Sequence, residues 1–423
     1  MKIPRIRFRT GGDTPEPYSP VATYYMILVS AIVLGVFGLL MTFSASSVTN
    51  ISRDINPYLA FVRTLGIMAV SVLVAFVCAL AKPDLIKRLT WPVYVVALVA
   101  QLAVYPFGVE QGGNKNWIRI PGINQFVQPS EFLKLATCLV LGVVLANLGS
   151  RVNDWKAVLI GVGIPAGLSV IAVMLGGDLG TALIFVAIVF GATWVAGVPL
   201  RYFVFVSVPV IALLVVMVAI SPSRSRRVLE IIPGMGEVPD PTVPTQFAQG
   251  LWALGSGGLL GRGPGASHAK WNYLQEAHND FILAIVGEEF GFVGTLSLLV
   301  ALAVLVWGTL RMTSNTTNAF VSYSSAGIAA WLASQGLINV GSVTGLLPVI
   351  GVPFPLVSHG GSSFLFTAAA IGVLLAFARS EAGIPKRGRF DGETGGRDPR
   401  RSVRRRRVRR QKPKDQDGKE PRQ

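Results

Sequence analysis

The segment "YLQEAHNDFILAIVGEEFG", residues 273–291, opens polar with Glu276, His278 and Asp280. It then turns apolar and sets Glu288 beside Glu289 inside a membrane-length run. Carboxylates are expensive there and usually face a partner, a cavity or a reaction path. A positioned acid at the mouth of such a run can act as a general base. The paired acids lie about 12 Å further along a helix, too deep for the same centre unless the helix is broken. They read as buried polar contacts that fix helix packing, with a proton relay as the other reading, for which no partner is visible in the sequence.

Four other clusters carry polar chemistry. In "NKNWIRIPGINQFVQPSEFLKL", residues 114–135, Pro129 ahead of Ser130 and Glu131 marks a helix start. Glu131 and Lys134 then share a face at i,i+3. Two readings stay open: a structural ion pair, or a cavity-facing pair whose Lys134 meets an anionic substrate group. Trp117 and Arg119 have an interfacial anchor as their simplest reading, and Arg119 joins the candidate substrate contacts. In "GGDLGTAL", residues 176–183, Asp178 reads as a helix cap and Thr181 as a packing residue.

The third cluster, "GSGGLLGRGPG", lacks the Lys and Ser/Thr of a P-loop. Its glycines suit a re-entrant or interfacial chain lying close to a lipid headgroup, with Arg262 and Lys270 as cations for phosphate. His268 and His278 have no paired metal spacing. The fourth is "NVGSVTGLLPVIGVPFPLVSHGGSS", residues 339–363, where prolines interrupt the apolar sequence. Ser358, Gly360, Gly361 and Ser362 can place donors against an anionic ligand there.

The elements that position these residues are membrane helices. The chain of 423 residues is 51% hydrophobic and only 14% charged, with apolar runs of about 20 residues recurring along its length. Solid rather than alternating runs favour helices over a β-barrel. The fold class expected is an all-α polytopic membrane protein of about ten spans: 22–45, 58–81, 91–108, 130–149, 157–176, 179–197, 200–221, 279–311, 319–345 and 361–380. A large extracytoplasmic loop, 222–278, separates spans seven and eight. Lys and Arg in the short connections put both termini in the cytoplasm.

Three parts follow: an N-terminal tail 1–21, a membrane domain 22–381, and a disordered basic tail 382–423. The net charge of +16 is concentrated in the last part, which holds 16 Lys/Arg against 6 Asp/Glu. Next to a final span, that charge reads as attraction to anionic lipid rather than to nucleic acid. Cys78 and Cys138 both fall in spans and read as small core residues.

"QPSEFLKL", "GGDLGTAL", "ALGSGGLLGRG", "EAHNDFILAIVGEEFG" and "GLLPVIGVPFPLVSHGGSS", in that order, resemble the SEDS family of shape, elongation, division and sporulation proteins. The resemblance spans about 22–380. "SASSV" and "NYLQEAHNDF" look more like division members of actinobacteria than like the elongation paralogue. His359, Gln275, Gly177 and Asn279 depart from residues common in the family.

The resemblance implies a ten-helix peptidoglycan glycosyltransferase that polymerises lipid II, the undecaprenyl-pyrophosphate-linked disaccharide peptide. It implies a bacterial plasma-membrane protein at the division septum, partnered by a cognate class B penicillin-binding transpeptidase and other divisome proteins. The acid matching Asp280 is then the catalytic one. It would take the proton of the acceptor 4-hydroxyl as that oxygen attacks the donor's anomeric carbon in one inverting step. Lys134 would help neutralise the leaving pyrophosphate. No cofactor is evident, and a divalent cation (Mg or Mn) at the pyrophosphate stays open. The competing readings are a lipid II flippase or other transporter, whose spans and buried acids look alike, and a division scaffold.

Overall fold

The computed structural model describes residues 18–52, 56–111, 114–120, 125–220, 225, 228–229, 246–270, 279–358 and 360–383. Its compact unit ends at Ile384. The basic tail expected over 382–423 lies outside the described residues from 384 onward, as do Gln275, Glu276, His278 and His359.

Every expected span falls on a helix. These are α1 (Pro20–Ser52), α2 (Pro57–Leu80), α3 (Pro83–Phe107), α4 (Pro129–Leu148), α5 (Trp155–Val158) running through a π turn into α6 (Ile164–Met174), α7 (Leu179–Val195) and α8 (Leu200–Ile220). After a short helix, α9 (Gln246–Ser256), come α10 (Ile282–Asn315), α11 (Ala319–Thr344) and α12 (Gly361–Glu381). Among the described residues, seven helices are long and apolar enough to cross a membrane, and α7 is a shorter apolar helix. The protein is therefore a helical, multi-pass membrane protein.

Several boundaries differ from those expected: α1 runs on to Ser52, and α10 spans Ile282–Asn315. The third span begins at Pro83 rather than 91, because Pro83 takes the first helical position and the helix runs through Lys87 and Arg88. The connection before α4 is not plain coil. Strands β1 (Val109–Gln111), β2 (Asn114–Ile120) and β3 (Gln125–Val127) form an antiparallel sheet in the order β1-β2-β3.

The helices sort by what surrounds them. α2 is exposed along most of its length and suits lipid, whereas α4 and α12 are mostly buried. α11 is buried too, packing on α4 and α7, while α12 packs on α2. Small residues permit the close crossings: a Cβ at Gly191 would lie 2.4 Å from the Ala330 Cβ, and one at Gly372 would lie 2.3 Å from the Ala75 carbonyl oxygen. The interior helix α11 carries Ser, Gln and Asn that a lipid-facing helix would not tolerate.

Candidate functional site

The polar clusters meet at one end of the bundle, where α4, α7, α10 and α12 begin and α11 ends. Each helix start has a local reason. Pro129 opens α4. The Asp178 carboxylate caps α7, accepting from the Thr181 amide at 2.9 Å and the Thr181 hydroxyl at 2.7 Å. Gln128, ahead of α4, ties these ends together. Its side-chain amide donates to Asp178 at 3.0 Å, and its backbone N–H donates to the Ser362 hydroxyl at 3.2 Å.

Irregular backbone from 345 to 358 threads among these ends. Two amides of α11 hold it, one turn apart and so on one face. Gln335 Nε2 donates to the Pro353 carbonyl at 2.8 Å. Asn339 Nδ2 donates to the Val352 carbonyl and to the Asp280 carbonyl, each at 2.8 Å. Asp280 stands in the turn just before α10, half-buried, and its Oδ2 lies 3.5 Å from where a Cβ on Gly351 would sit. This is the acid at the mouth of the eighth span.

Glu131 and Lys134 form the expected i,i+3 pair at 2.9 Å, with Lys134 0% and Glu131 2% exposed. The cavity-facing reading of Lys134 does not match this placement. Its ammonium donates to Glu131 and to Gln335 Oε1 at 3.0 Å, and it sits 4.8 Å from the Trp331 ring centre. Two of its three N–H donors are thus taken up inside the protein, and the buried pair serves as part of the frame of the site. The sequence reading passed over Gln335, Asn339 and Trp331. Two amides four residues apart in a membrane-length run were the signal available.

The paired acids are buried polar contacts, as the sequence suggests, and they hold a loop as well as a helix. α10 is broken at Gly291, which adopts φ 67° and ψ −161°. The break frees backbone groups, and the glycine-rich chain after α9 takes them up. The Glu288 and Glu289 carbonyls accept from Arg262 N–H at 2.9 Å and Gly263 N–H at 3.0 Å. In return, the Phe292 and Val293 amides donate to the Gly258 and Leu259 carbonyls. The approach is close: a Cβ at Gly261 would lie 2.2 Å from the Glu289 carbonyl oxygen.

The acid side chains bind the same loop. Glu288 accepts from the Ser267 hydroxyl at 2.6 Å and from the His268 and Ala269 amides, with Arg262 at 3.4 Å. Glu289 pairs with Lys270 at 3.0 Å and accepts from Ser44 of α1 at 2.7 Å. The acids thus fasten a loop and do more than join helices. Lys270, read as a phosphate contact, is taken up by Glu289, whereas Arg262 stays 42% exposed beside Glu288. Lys270 also donates to the Gly265 carbonyl.

The remaining candidates are placed as follows. Arg119 is exposed on β2, opposite Phe126. The Ser358 hydroxyl accepts from the Phe354 N–H at 2.7 Å, and its carbonyl accepts from Gly360, which caps α12. Gly361 and Ser362 form the first turn of α12, with Gly361 beside Ile67 of α2. Cys78 and Cys138 are both free. Among the described residues, no three His, Cys, Asp or Glu side chains gather as a metal site would require.

Residues 24–383 match the FtsW/RodA/SpoVE family model, described as a cell cycle protein. The chain is 32% identical over 365 residues to the probable peptidoglycan glycosyltransferase FtsW of Mycobacterium tuberculosis, covering 86% of this chain and 69% of that one. It is 31% identical over 361 residues to stage V sporulation protein E of Bacillus subtilis, covering 84% and 96%. Among solved structures, the rod shape determining protein RodA of Thermus thermophilus aligns with a TM-score of 0.62 at 24% identity, over 84% of this chain and 96% of that one. A chain from a peptidoglycan synthase complex, solved for its coordination of polymerization and crosslinking, gives 0.67 at 24% identity, over 84% and 97%. At that identity the two structures speak for the fold alone. The motif order, the matched family model and the curated relatives agree: this chain belongs to the FtsW/RodA/SpoVE family of cell cycle proteins, the SEDS proteins its motifs resemble.

Proposed function

We infer that the protein is a peptidoglycan glycosyltransferase that polymerises lipid II into glycan strands, with Asp280 as general base, in septal wall synthesis during cell division. The observation that carries this is the placement of Asp280, on a half-buried turn just before α10, tied to α11 by Asn339 and set beside Gly351 of the irregular segment. Curated relatives named as FtsW glycosyltransferases support the reaction class and the division role.

In this reading Asp280 accepts the proton of the acceptor 4-hydroxyl while the C–O bond to the donor's anomeric carbon forms and the bond to pyrophosphate breaks. General-base help of this kind is worth about 10²–10⁴-fold. Arg119, Arg262 and the first-turn amides of α12 at Gly361 and Ser362 are the groups nearest in kind to a pyrophosphate site. Lys134 and Lys270 act through the scaffold. A Mg or Mn ion at the pyrophosphate would add positive charge to the leaving group, and chelation tests whether the reaction needs one.

Both termini face the cytoplasm and the working end faces outward, as the Lys/Arg distribution supports. A class B transpeptidase partner fits the resemblance to a complex that couples polymerization to crosslinking. The test is polymerisation of lipid II against movement of labelled lipid II across a bilayer. Strands from wild type and none from Asp280→Asn support the enzyme. Lipid movement without strands supports a transporter.

A further inference from the structure

Asn339 is 1% exposed, deep on α11, one turn from Gln335. Both amide N–H bonds end on carbonyl oxygens, those of Asp280 and Val352 at 2.8 Å. Carbonyls only accept, so the partners themselves fix which way the amide faces. Its own Oδ1 is buried without a hydrogen-bond partner among the described residues. Such an orphan is costly, and a side chain serving only to fill the helix interface would not need one. The amide clamps two stretches of non-helical backbone on either side of one carboxylate. One is the turn that carries Asp280. The other begins at Gly351, whose φ of +74° and missing side chain leave room 3.5 Å from Asp280 Oδ2. Gln335, held by Lys134, grips the next carbonyl, at Pro353.

We propose that Asn339 is a positioning residue for Asp280: its amide sets the spacing between the Asp280 turn and the Gly351–Val352 segment, and so places the carboxylate against the hydroxyl it deprotonates. This rests on the reading of Asp280 as the base. Proton transfer needs the base within hydrogen-bond reach, and a shift of about 1 Å can cost about 10²-fold in rate. Without the clamp, Asp280 stays in place chemically but loses its fixed height, so turnover falls while substrate contacts elsewhere persist.

The experiment compares full-length wild type, Asp280→Asn, Asn339→Ala and Asn339→Leu in the lipid II polymerisation assay, with melting temperature measured for each. Leu keeps the branched shape of Asn with bulkier methyl groups and no donor, and Ala removes the donor without overpacking, so the two together separate loss of the clamp from a change in packing. The expected result for both Asn339 variants is a kcat lower by about 10–100-fold, with KM changed by less than about threefold and a cooperative melting transition kept at a somewhat lower temperature. Any residual rate of Asp280→Asn is not lowered further by adding Asn339→Leu, because the two act through one group.

Wild-type kcat in folded Asn339 variants, with Asp280→Asn inactive, overturns the positioning role and leaves the base in place. Wild-type rates in Asp280→Asn withdraw the base and the positioning role together. A collapse of folding in both Asn339 variants assigns the amide to the scaffold and also overturns the proposal.

Discussion

Lys270 and Glu289 meet at 3.0 Å with side chains only 5% and 1% exposed, and Ser44 of α1 donates to the same carboxylate. The loop after α9 is thereby fastened to the broken helix α10 and to α1 through one buried ion pair. Its neighbour, Arg262 with Glu288 at 3.4 Å, has its cation 42% exposed. Screening by solvent makes that second pair worth much less.

Removing one partner of the buried pair leaves the other charge unpaired, at a cost of about 3–5 kcal/mol. Lys270→Met and Glu289→Leu should each destabilise by that order, and the double variant should recover much of the loss. Thermal unfolding in detergent reads this. Additive single losses in the double variant would mean that the two side chains do not act as a pair. Arg262→Met should change stability by less than about 1 kcal/mol.

Gly291 and Gly167 should respond oppositely to the same change. At Gly291 a Cβ would lie 2.4 Å from the Gly261 amide nitrogen with φ at +67°, so Gly291→Ala must unseat the loop. At Gly167 on α6 nothing lies within 4 Å, and Ala there should be neutral or stabilising by up to about 1 kcal/mol. Melting temperatures decide. A Gly291→Ala protein as stable as wild type would mean that α10 is not broken there.

Lys134 is placed to support the frame, so its loss should show as instability before it shows as weak binding. Lys134→Met leaves Glu131 charged and buried and should lower stability by about 3–5 kcal/mol. A normal melting temperature with a raised KM for lipid II would instead return Lys134 to direct substrate contact.

Much of the architecture was legible because apolar runs of membrane length leave helices as the only economical backbone. The Asp178 cap was legible because capping is local, three residues from donor to acceptor. What escaped was non-local. Ser44 reaches Glu289 across 245 positions and Lys134 reaches Gln335 across 201, and no periodicity in one segment reports such a pairing. The three-stranded sheet escaped because strands of 3, 7 and 3 residues are too short to show alternation. The glycine after "GEEF" was on view, but its φ became informative only once the loop it accommodates was placed.

The compact unit ends at Ile384, so deleting 385–423 should leave melting temperature and strand synthesis unchanged. Binding to vesicles rich in anionic lipid should weaken, with the difference fading as salt rises. Equal binding by the full and shortened chains would remove the lipid role of the basic tail.

The most direct measurement is lipid II polymerisation by the purified protein with its transpeptidase, wild type beside Asp280→Asn, both shown to be folded and partner-bound. The account predicts glycan strands from wild type and a loss of at least about 10²-fold in the variant. Strands at equal rates from both proteins would contradict the assignment of the base to Asp280.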